Sequence, residues 1–150
     1  IRAGAASRFS SRRLGRILAL SSPLAESPKE TELRLLIHQI TSDLGATLLE
    51  QVPVYKNGQV GAPGTRDDGA ELLTIIDIAD VPRMIAFMYD GEHHLDRAQR
   101  DLDARITAEL TRRGWLVIRV SAGMLRDTKE ITRQIRESFL ARAEFGRMVG

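Results

Sequence analysis

The sequence predicts an α/β protein with a mixed β-sheet that is flanked by helices. Short apolar segments of β-type composition occur between amphipathic segments of helical spacing. Their order is α-β-β-β-α-β-α, and a long helix separates the fourth strand from the third. This order predicts an antiparallel meander followed by a crossover connection. The chain has 150 residues, of which 43% are hydrophobic, and this is sufficient for one ordinary core.

The composition excludes several classes of protein. The chain has no cysteine, which rules out a disulfide scaffold, a thiolate zinc site and a cysteine nucleophile, and which is typical of a reducing cytoplasm. No apolar run approaches the ~20 residues that cross a bilayer, so we expect a cytoplasmic protein with no membrane partner. Because the chain begins with Ile1 rather than Met, we expect a further N-terminal domain to precede it.

The first helix is predicted from its N-terminal signal. The Ser-Pro-Lys-Glu motif at residues 27–30 combines Ser27 as a cap with Glu30 as the third helical residue, and Gly45 is a natural end. Residues 1–26 precede this helix, and the first 25 of them contain five arginines and no acid. We therefore expect a basic flexible arm or linker there.

Three strands are expected after this helix. Residues 46–55, 71–79 and 84–90 are rich in aliphatic and β-branched residues. Residues 56–59, Lys-Asn-Gly-Gln, are typical of a hairpin turn. Residues 80–83, Asp-Val-Pro-Arg, form a second turn.

The last third of the domain is predicted as helix, strand and helix. The charged helix covers residues 95–113, and its inner stripe is predicted to contain Leu102, Ile106 and Leu110. A short apolar strand follows at residues 115–120. Asp127 and Glu130 begin the last helix, and four of its apolar residues are expected to face inward: Ile131, Ile135, Phe139 and Leu140. The domain is thus predicted over residues 27–143, with a C-terminal tail at 144–150.

The net charge of +2 conceals an uneven distribution. Between Asp67 and Asp103 ten acids face three arginines, whereas from Ala104 onward ten basic residues face five acids. A basic arm and a basic C-terminal third around an acidic centre suit a polyanionic ligand with a metal held in the middle. The alternative is a solvated surface with an arginine-rich leader.

Asp77 lies within an otherwise apolar strand, where an ionised carboxylate is costly unless it is paired or bound to a cation. Alternation places Asp77 on one face of the sheet and Ile76 and Ile78 on the other. In the next strand Asp90 shares a face with Met88, so Asp77 and Asp90 are expected to converge if the strands are neighbours. Two carboxylates and a backbone carbonyl commonly hold Mg²⁺. The alternatives are a strand-end acid bonded to an amide for Asp77 and an Asp-Gly turn for Asp90.

Two histidines follow in the motif DGEHH at residues 90–94. Imidazoles beside a carboxylate pair relay protons or bind phosphate near neutral pH, which makes His93 and His94 candidate catalytic residues. The alternative is a pair of polar loop residues. Zinc is disfavoured, because three soft ligands at helical spacing are absent from the sequence.

The string MIAFMYDGEHHLDRAQRDLDARITAELTRRGWLVIRV, with the upstream segment ESPKETELRLLI, resembles a bacterial family of endonuclease-like domains related to very-short-patch repair endonucleases. This family belongs to the PD-(D/E)XK nuclease superfamily, and the resemblance covers about residues 27–140. It implies a restriction-endonuclease-like fold.

The resemblance also implies roles for single residues. Asp77 would be the central metal ligand and Asp90, with the carbonyl of Tyr89, would lie at the metal-facing strand end. His93 or His94 would lie near the scissile phosphate, and Glu30 would reach the metal shell, although the helix cap already explains a glutamate there. Asp103 and Arg105 would be supporting polar residues of the crossover helix.

Met88 departs from the family pattern, in which a glutamate usually occupies this position, and the usual catalytic lysine is also missing. Met is no ligand for Mg²⁺. The very-short-patch branch resembles this chain in lacking that glutamate, and it relies on the aspartate, a backbone carbonyl and nearby histidines. The sequence therefore predicts a DNA endonuclease dependent on Mg²⁺, with Mn²⁺ as a possible substitute. The alternative is a catalytically degenerate nuclease fold that acts as a DNA-binding or regulatory module.

Arginines provide the expected contacts with the DNA backbone, which give affinity rather than sequence choice. The candidates are Arg12, Arg13, Arg97, Arg100 and Arg119. A protein-interaction domain without a nucleic-acid partner remains a third possibility if these arginines are scattered.

Overall fold

The structure is a computed structural model that describes residues 28–67, 69–91 and 97–149, with side chains described up to residue 143. The predicted arm at 1–26, with Arg12 and Arg13, lies outside the described residues. So do the predicted cap Ser27 and the two histidines of the DGEHH motif, His93 and His94.

The described elements follow the predicted order, with one addition at the C-terminal end. They are α1 (Pro28–Thr41), β1 (Leu48–Tyr55), β2 (Leu72–Asp80), β3 (Ile85–Asp90), α2 (Arg97–Arg112), β4 (Leu116–Ser121), α3 (Ala122–Arg126) and α4 (Thr128–Val149). Gly45, at φ 62°, is the last residue of the turn that follows α1. Gly58, at φ 89°, lies in the turn predicted at residues 56–59.

The four strands form one mixed sheet in the order β1-β2-β3-β4. β1, β2 and β3 are consecutive antiparallel neighbours, and β4 pairs with β3 in parallel. The crossover between the two parallel strands contains α2, as a parallel pair requires. The α/β class, the meander and the returning strand are thus confirmed.

Helices cover both faces of this sheet. One apolar cluster joins α1 and α4 to strand residues such as Phe87 and Ile118. The other joins α2, through Leu110, to strand residues that include Ile76 and Met88. Among the residues that the structure describes, no helix is long and apolar enough to cross a membrane.

Strict alternation along β2 is wrong at one point. Ile76 and Ile78 were expected on one face, but Ile76 packs in the α2 cluster and Ile78 in the cluster of α1 and α4. The pleat is interrupted at Asp77, which separates them. Opposite this position β1 contains Gln51, a non-glycine residue at φ 51°. A left-handed residue in a strand rotates the following side chains, so the faces change across it.

Two leucines predicted to face inward are exposed. Leu102 of α2 is 49% exposed and Leu140 of α4 is 62% exposed. In the middle of α2 polar residues face β4, since Asp103 and Thr107 contact Arg119 of that strand. Ile131, Ile135 and Phe139 of α4 are buried as predicted, and Leu140 follows them on the outward side of the helix.

The C-terminal region is also more helical than predicted. Ser121 caps the short helix α3, since its side chain accepts from the Met124 amide. Asp127 then accepts from the Lys129 amide at the start of α4. α4 continues through Val149, so the backbone of the predicted tail is helical rather than a separate segment.

Asp80 ends β2 and is completely buried, although a turn was predicted to begin there. Its Oδ2 accepts from the Thr47 amide at 3.0 Å and pairs with Arg83 Nη1 at 2.9 Å, and its Oδ1 accepts from the Arg83 amide at 3.0 Å. The carboxylate therefore ties the start of β1 to the β2–β3 turn.

Candidate functional site

Asp77 occupies a point where the backbone ladder of the sheet is incomplete. The β2–β3 register runs from Asp80↔Ile85 to Ile78↔Phe87, so Asp77 is the first β2 residue beyond it. Its Oδ2 accepts a hydrogen bond from the Tyr89 amide at 2.7 Å. A side chain thus holds β3 to β2 here, and its carboxylate is fixed by a backbone donor.

The hydrogen bond from the Tyr89 amide to Asp77 matches one alternative stated above, a strand-end acid that is bonded to a backbone amide. It also suits a functional carboxylate, because a hydrogen bond to the charged form stabilises that form and fixes its orientation. The distinction depends on what surrounds the carboxylate.

Glu30 approaches the same region from α1. On β1, the pairs Glu50↔Ile78 and Val52↔Ile76 flank Gln51, which therefore lies opposite Asp77. The Gln51 side chain lies 3.4 Å from Glu30 Oε2 through its Nε2. Gln51, the residue with the left-handed backbone, is thus also the residue whose side chain contacts Glu30, the second acid of this region.

A cavity of about 360 Å³ brings these carboxylates together. Glu30 comes from α1, Asp77 from β2 and Met88 from β3, while α2 contributes Gln99 and Asp103. Tyr89, Gly91 and Arg119 complete its lining. Met88 is 8% exposed, so an apolar thioether stands in the wall beside two acids.

Arg119 forms one wall of this cavity and connects three groups. Its Nη2 lies 3.3 Å from Asp103 Oδ2 and 3.5 Å from Asp90 Oδ1, and its Nη1 donates to Thr107 Oγ1 at 3.2 Å. Asp90 is exposed at the end of β3 and does not line the cavity with Asp77 and Glu30. Glu30 and Asp103 are the carboxylates that share the cavity with Asp77, and Asp103 is paired with Arg119. The role of Asp90 as a metal ligand stays a prediction.

A buried ion pair lies behind the two acids. Arg34 of α1 is 1% exposed, and its Nη1 lies 3.3 Å from both carboxylate oxygens of Glu50. His38 continues this side of α1. Burial is the main cause that lowers the pKa of His38 below its ordinary value of 6.5; Glu50 raises this pKa and Arg34 lowers it further.

The donors of the cavity fit a hard divalent cation. Mg²⁺ prefers oxygen donors, and the cavity has the carboxylates of Glu30 and Asp77 beside that of Asp103, which is paired with Arg119. Within the described ranges, no group of three or more histidine, aspartate or glutamate side chains could hold a metal ion. Mg²⁺ commonly keeps several waters and uses one or two carboxylates together with substrate phosphate, so two protein carboxylates are an adequate set.

The arginines predicted to contact DNA differ in their surroundings. Arg97 and Arg100 are exposed in the first turn of α2, close in sequence to the cavity residue Gln99. Neither has an ion-pair partner in the part of the chain that the structure describes. The side chain of Arg119 is 22% exposed and forms ion pairs with Asp90 and Asp103. Its described contacts are therefore with other residues of the domain. Asp103 lines the cavity and pairs with Arg119, whereas Arg105 is exposed on α2 and does not line the cavity. The supporting roles of both residues stay predictions.

Three residues of this region were not predicted from the sequence: Arg34, Gln51 and Gln99. Arg34 has a visible signal, because it lies beside Leu33 within the apolar side of an amphipathic helix. Gln51 has a weaker one, since Glu50 and Gln51 are consecutive polar residues in a strand. Gln99 has none, because a glutamine on a charged helix is unremarkable in sequence.

A larger cavity, of about 460 Å³, lies between β4 and α4. The described residues around it include a single acid, Glu137, together with Gln134, Ser138 and apolar residues of β4. It lacks a second carboxylate beside the first, so the smaller cavity at Asp77 is the better candidate for chemistry.

Comparisons with protein-family models, with curated proteins and with solved structures found no match to this chain.

Proposed function

We propose that this protein is a Mg²⁺-dependent endonuclease that hydrolyses DNA phosphodiester bonds, with Mn²⁺ as a substitute metal. The observation that carries the proposal is the shared cavity of Asp77 and Glu30, in which a backbone amide orients Asp77. Perturbed strands and paired acids at the end of a sheet are typical of functional sites rather than of stable cores.

A restriction-endonuclease-like fold is part of this proposal. The support is the succession of a helix, an antiparallel three-stranded meander, a crossover helix and a parallel fourth strand. Many chemistries use related α/β scaffolds, so the fold supports the function only together with the site.

Asp77 and Glu30 would hold the metal, with the Tyr89 carbonyl as a further oxygen donor. Bound Mg²⁺ supplies activation of water and neutralisation of charge on the phosphate. The chain itself orients Asp77 through the Tyr89 amide. Asp90, held by Arg119, and the two histidines that follow it remain predicted participants, the histidines as groups that handle a proton or contact phosphate.

DNA would bind across the mouth of the cavity near the start of α2. Arg97 and Arg100 are exposed there, and each phosphate contact of this type adds affinity that falls with salt. The predicted basic arm, with Arg12 and Arg13, would add further contacts of the same kind.

One observation favours the second candidate, a non-catalytic DNA-binding module. Met88 lies in the cavity wall beside Asp77, where a carboxylate would add a metal ligand. In that case the cavity would bind a metal poorly, while the exposed arginines would still bind DNA.

The test is cleavage of supercoiled plasmid DNA in Mg²⁺ or Mn²⁺ by the wild type and by Asp77→Asn. The Asn oxygen can still accept from the Tyr89 amide, so the variant should fold while it loses one metal ligand. We expect nicking by the wild type and a loss of at least about 100-fold in the variant, the order of effect seen when a site loses an electrostatic group. Asp101→Asn is the matched control, because Asp101 is exposed on α2.

Three outcomes separate the candidates. Nicking that disappears in Asp77→Asn and persists in Asp101→Asn supports the endonuclease. Salt-dependent DNA binding without nicking by the wild type supports the non-catalytic module. Equal nicking by the wild type and by Asp77→Asn contradicts the proposed site.

A further inference from the structure

A polar seam runs along α1 behind the cavity. Glu30, Arg34 and His38 are spaced four residues apart and therefore lie on one side of the helix. The β1 residues that meet this side are Glu50, which pairs with Arg34, and Gln51, which contacts Glu30. The two contacts involve consecutive residues of β1, so the Arg34–Glu50 pair is next in sequence to the residue that contacts Glu30 in the cavity.

Burial of the Arg34 guanidinium is unfavourable for the stability of the folded state. It is 1% exposed, and two of its nitrogens, Nε and Nη2, make no hydrogen bond among the described residues. A buried donor without an acceptor destabilises the folded state, and a charged donor does so more than a neutral one. Packing alone does not account for such a residue, because an apolar side chain of similar size would fill the space without this cost.

The unsatisfied guanidinium lies close to the acids of the candidate site. A second, small cavity of about 10 Å³ is lined by Glu30, Arg34, Glu50, Gln51, Asp77 and Ile78. Glu30 and Asp77 line the larger cavity as well. Arg34 and Glu50 thus stand directly behind the two acids.

We propose that Arg34 and Glu50 form a charge-setting pair for the cation site, with Arg34 as a positioning residue that acts through Glu50 and the adjacent Gln51. This inference rests on the proposed function. The opposite charges of the pair cancel, and so do those of Asp103 and Arg119 in the cavity wall. The charge of −2 on Glu30 and Asp77 therefore remains. That charge matches a divalent cation.

The pair then has effects of opposite sign on metal binding. Glu50→Gln leaves Arg34 uncompensated behind the acids and should weaken binding of Mn²⁺. Arg34→Met leaves Glu50 uncompensated and should strengthen it. A single charge within about 10 Å of a divalent cation, at an effective dielectric constant near 20, changes its dissociation constant by about tenfold or more. The double variant restores the cancellation and should bind Mn²⁺ within about threefold of the wild type, by the same reasoning.

The experiment is calorimetric titration of Mn²⁺ into the full chain and these three variants, with thermal unfolding measured in parallel. Arg136→Met is the matched control, because Arg136 forms an exposed pair with Asp43 on the surface. It should leave the Mn²⁺ affinity unchanged. If Arg34→Met does not fold, the comparison of Glu50→Gln with the double variant carries the test, since a buried pair replaced as a unit is tolerated better than a single charge.

Weaker binding in Glu50→Gln that recovers in the double variant supports the charge-setting pair. The inference is overturned if the wild type binds Mn²⁺ but both single variants bind it more weakly, in proportion to their loss of stability, and the double variant does not recover the affinity. Absence of Mn²⁺ binding in the wild type overturns the proposed function and the inference together. These two failures are therefore distinguishable.

Discussion

Two aspartates of β2 have opposite roles in this account, and their substitution should have opposite consequences. Asp80 is completely buried and accepts from two backbone amides and one arginine. Asp77 lines the cavity and accepts from one amide. We expect Asp80→Ala to reduce stability strongly, and Asp77→Asn to leave stability nearly unchanged while it removes metal-dependent activity.

The size of the Asp80 effect follows from its partners. Loss of the carboxylate leaves the amides of Thr47 and Arg83 without their acceptor, at about 1 kcal/mol each for partly buried donors. It also removes the ion pair with Arg83, whose side chain is 27% exposed. The sum is about 3 kcal/mol, at the lower end of the range for breaking a buried pair. Asp77→Asn retains an acceptor and should cost less than about 1 kcal/mol.

Urea denaturation followed by circular dichroism measures both free energies of unfolding. Asp80→Asn provides an intermediate case, since it keeps acceptor oxygen but loses the charge opposite Arg83. A loss below about 1 kcal/mol in Asp80→Ala would refute the argument that buried amides depend on this carboxylate. A loss in Asp77→Asn as large as that in Asp80→Ala would show that Asp77 is chiefly structural.

Two further predictions concern stability. Because burial lowers the pKa of His38 below 6.5, the folded state favours the neutral imidazole; stability is complete above that pH and falls as the pH drops through the folded-state pKa. His38→Gln should flatten this acid-side loss in denaturation curves, and an unchanged slope would contradict it. Leu110→Ala should cost about 2–5 kcal/mol, because Leu110 is fully buried, whereas Leu102→Ala, 49% exposed, should change stability by less than about 0.5 kcal/mol. Equal losses in the two leucine variants would contradict the described orientation of α2.

The fold class was predictable because it depends on periodicity. Apolar spacing and turn residues located every helix and strand except α3, with boundaries that differ by a few residues. The short helix α3 escaped because its start depends on one side-chain bond, from the Met124 amide to Ser121. Leu102 was misplaced because an apolar residue at helical spacing was assumed to face the core, whereas Asp103 and Thr107 face Arg119.

The site was predictable only in part. Asp77 was identifiable because a lone acid in an apolar strand is energetically costly. The interruption of the pleat was not, because it involves Gln51 at φ 51°, and nothing in a glutamine indicates a left-handed backbone. The pairing of Asp90 with Arg119 could not be predicted from the sequence either. It depends on the parallel register of β3 and β4, which brings distant parts of the chain together.

The central claim is that the cavity at Asp77 binds a divalent cation. Paramagnetic broadening of backbone amide signals by substoichiometric Mn²⁺ tests it directly, because the broadening reports where the ion resides. We expect the amides of Tyr89 and Gly91 to lose intensity first in the wild type, and to keep it in Asp77→Asn. Broadening that is centred elsewhere, or that is the same in both proteins, would contradict the claim.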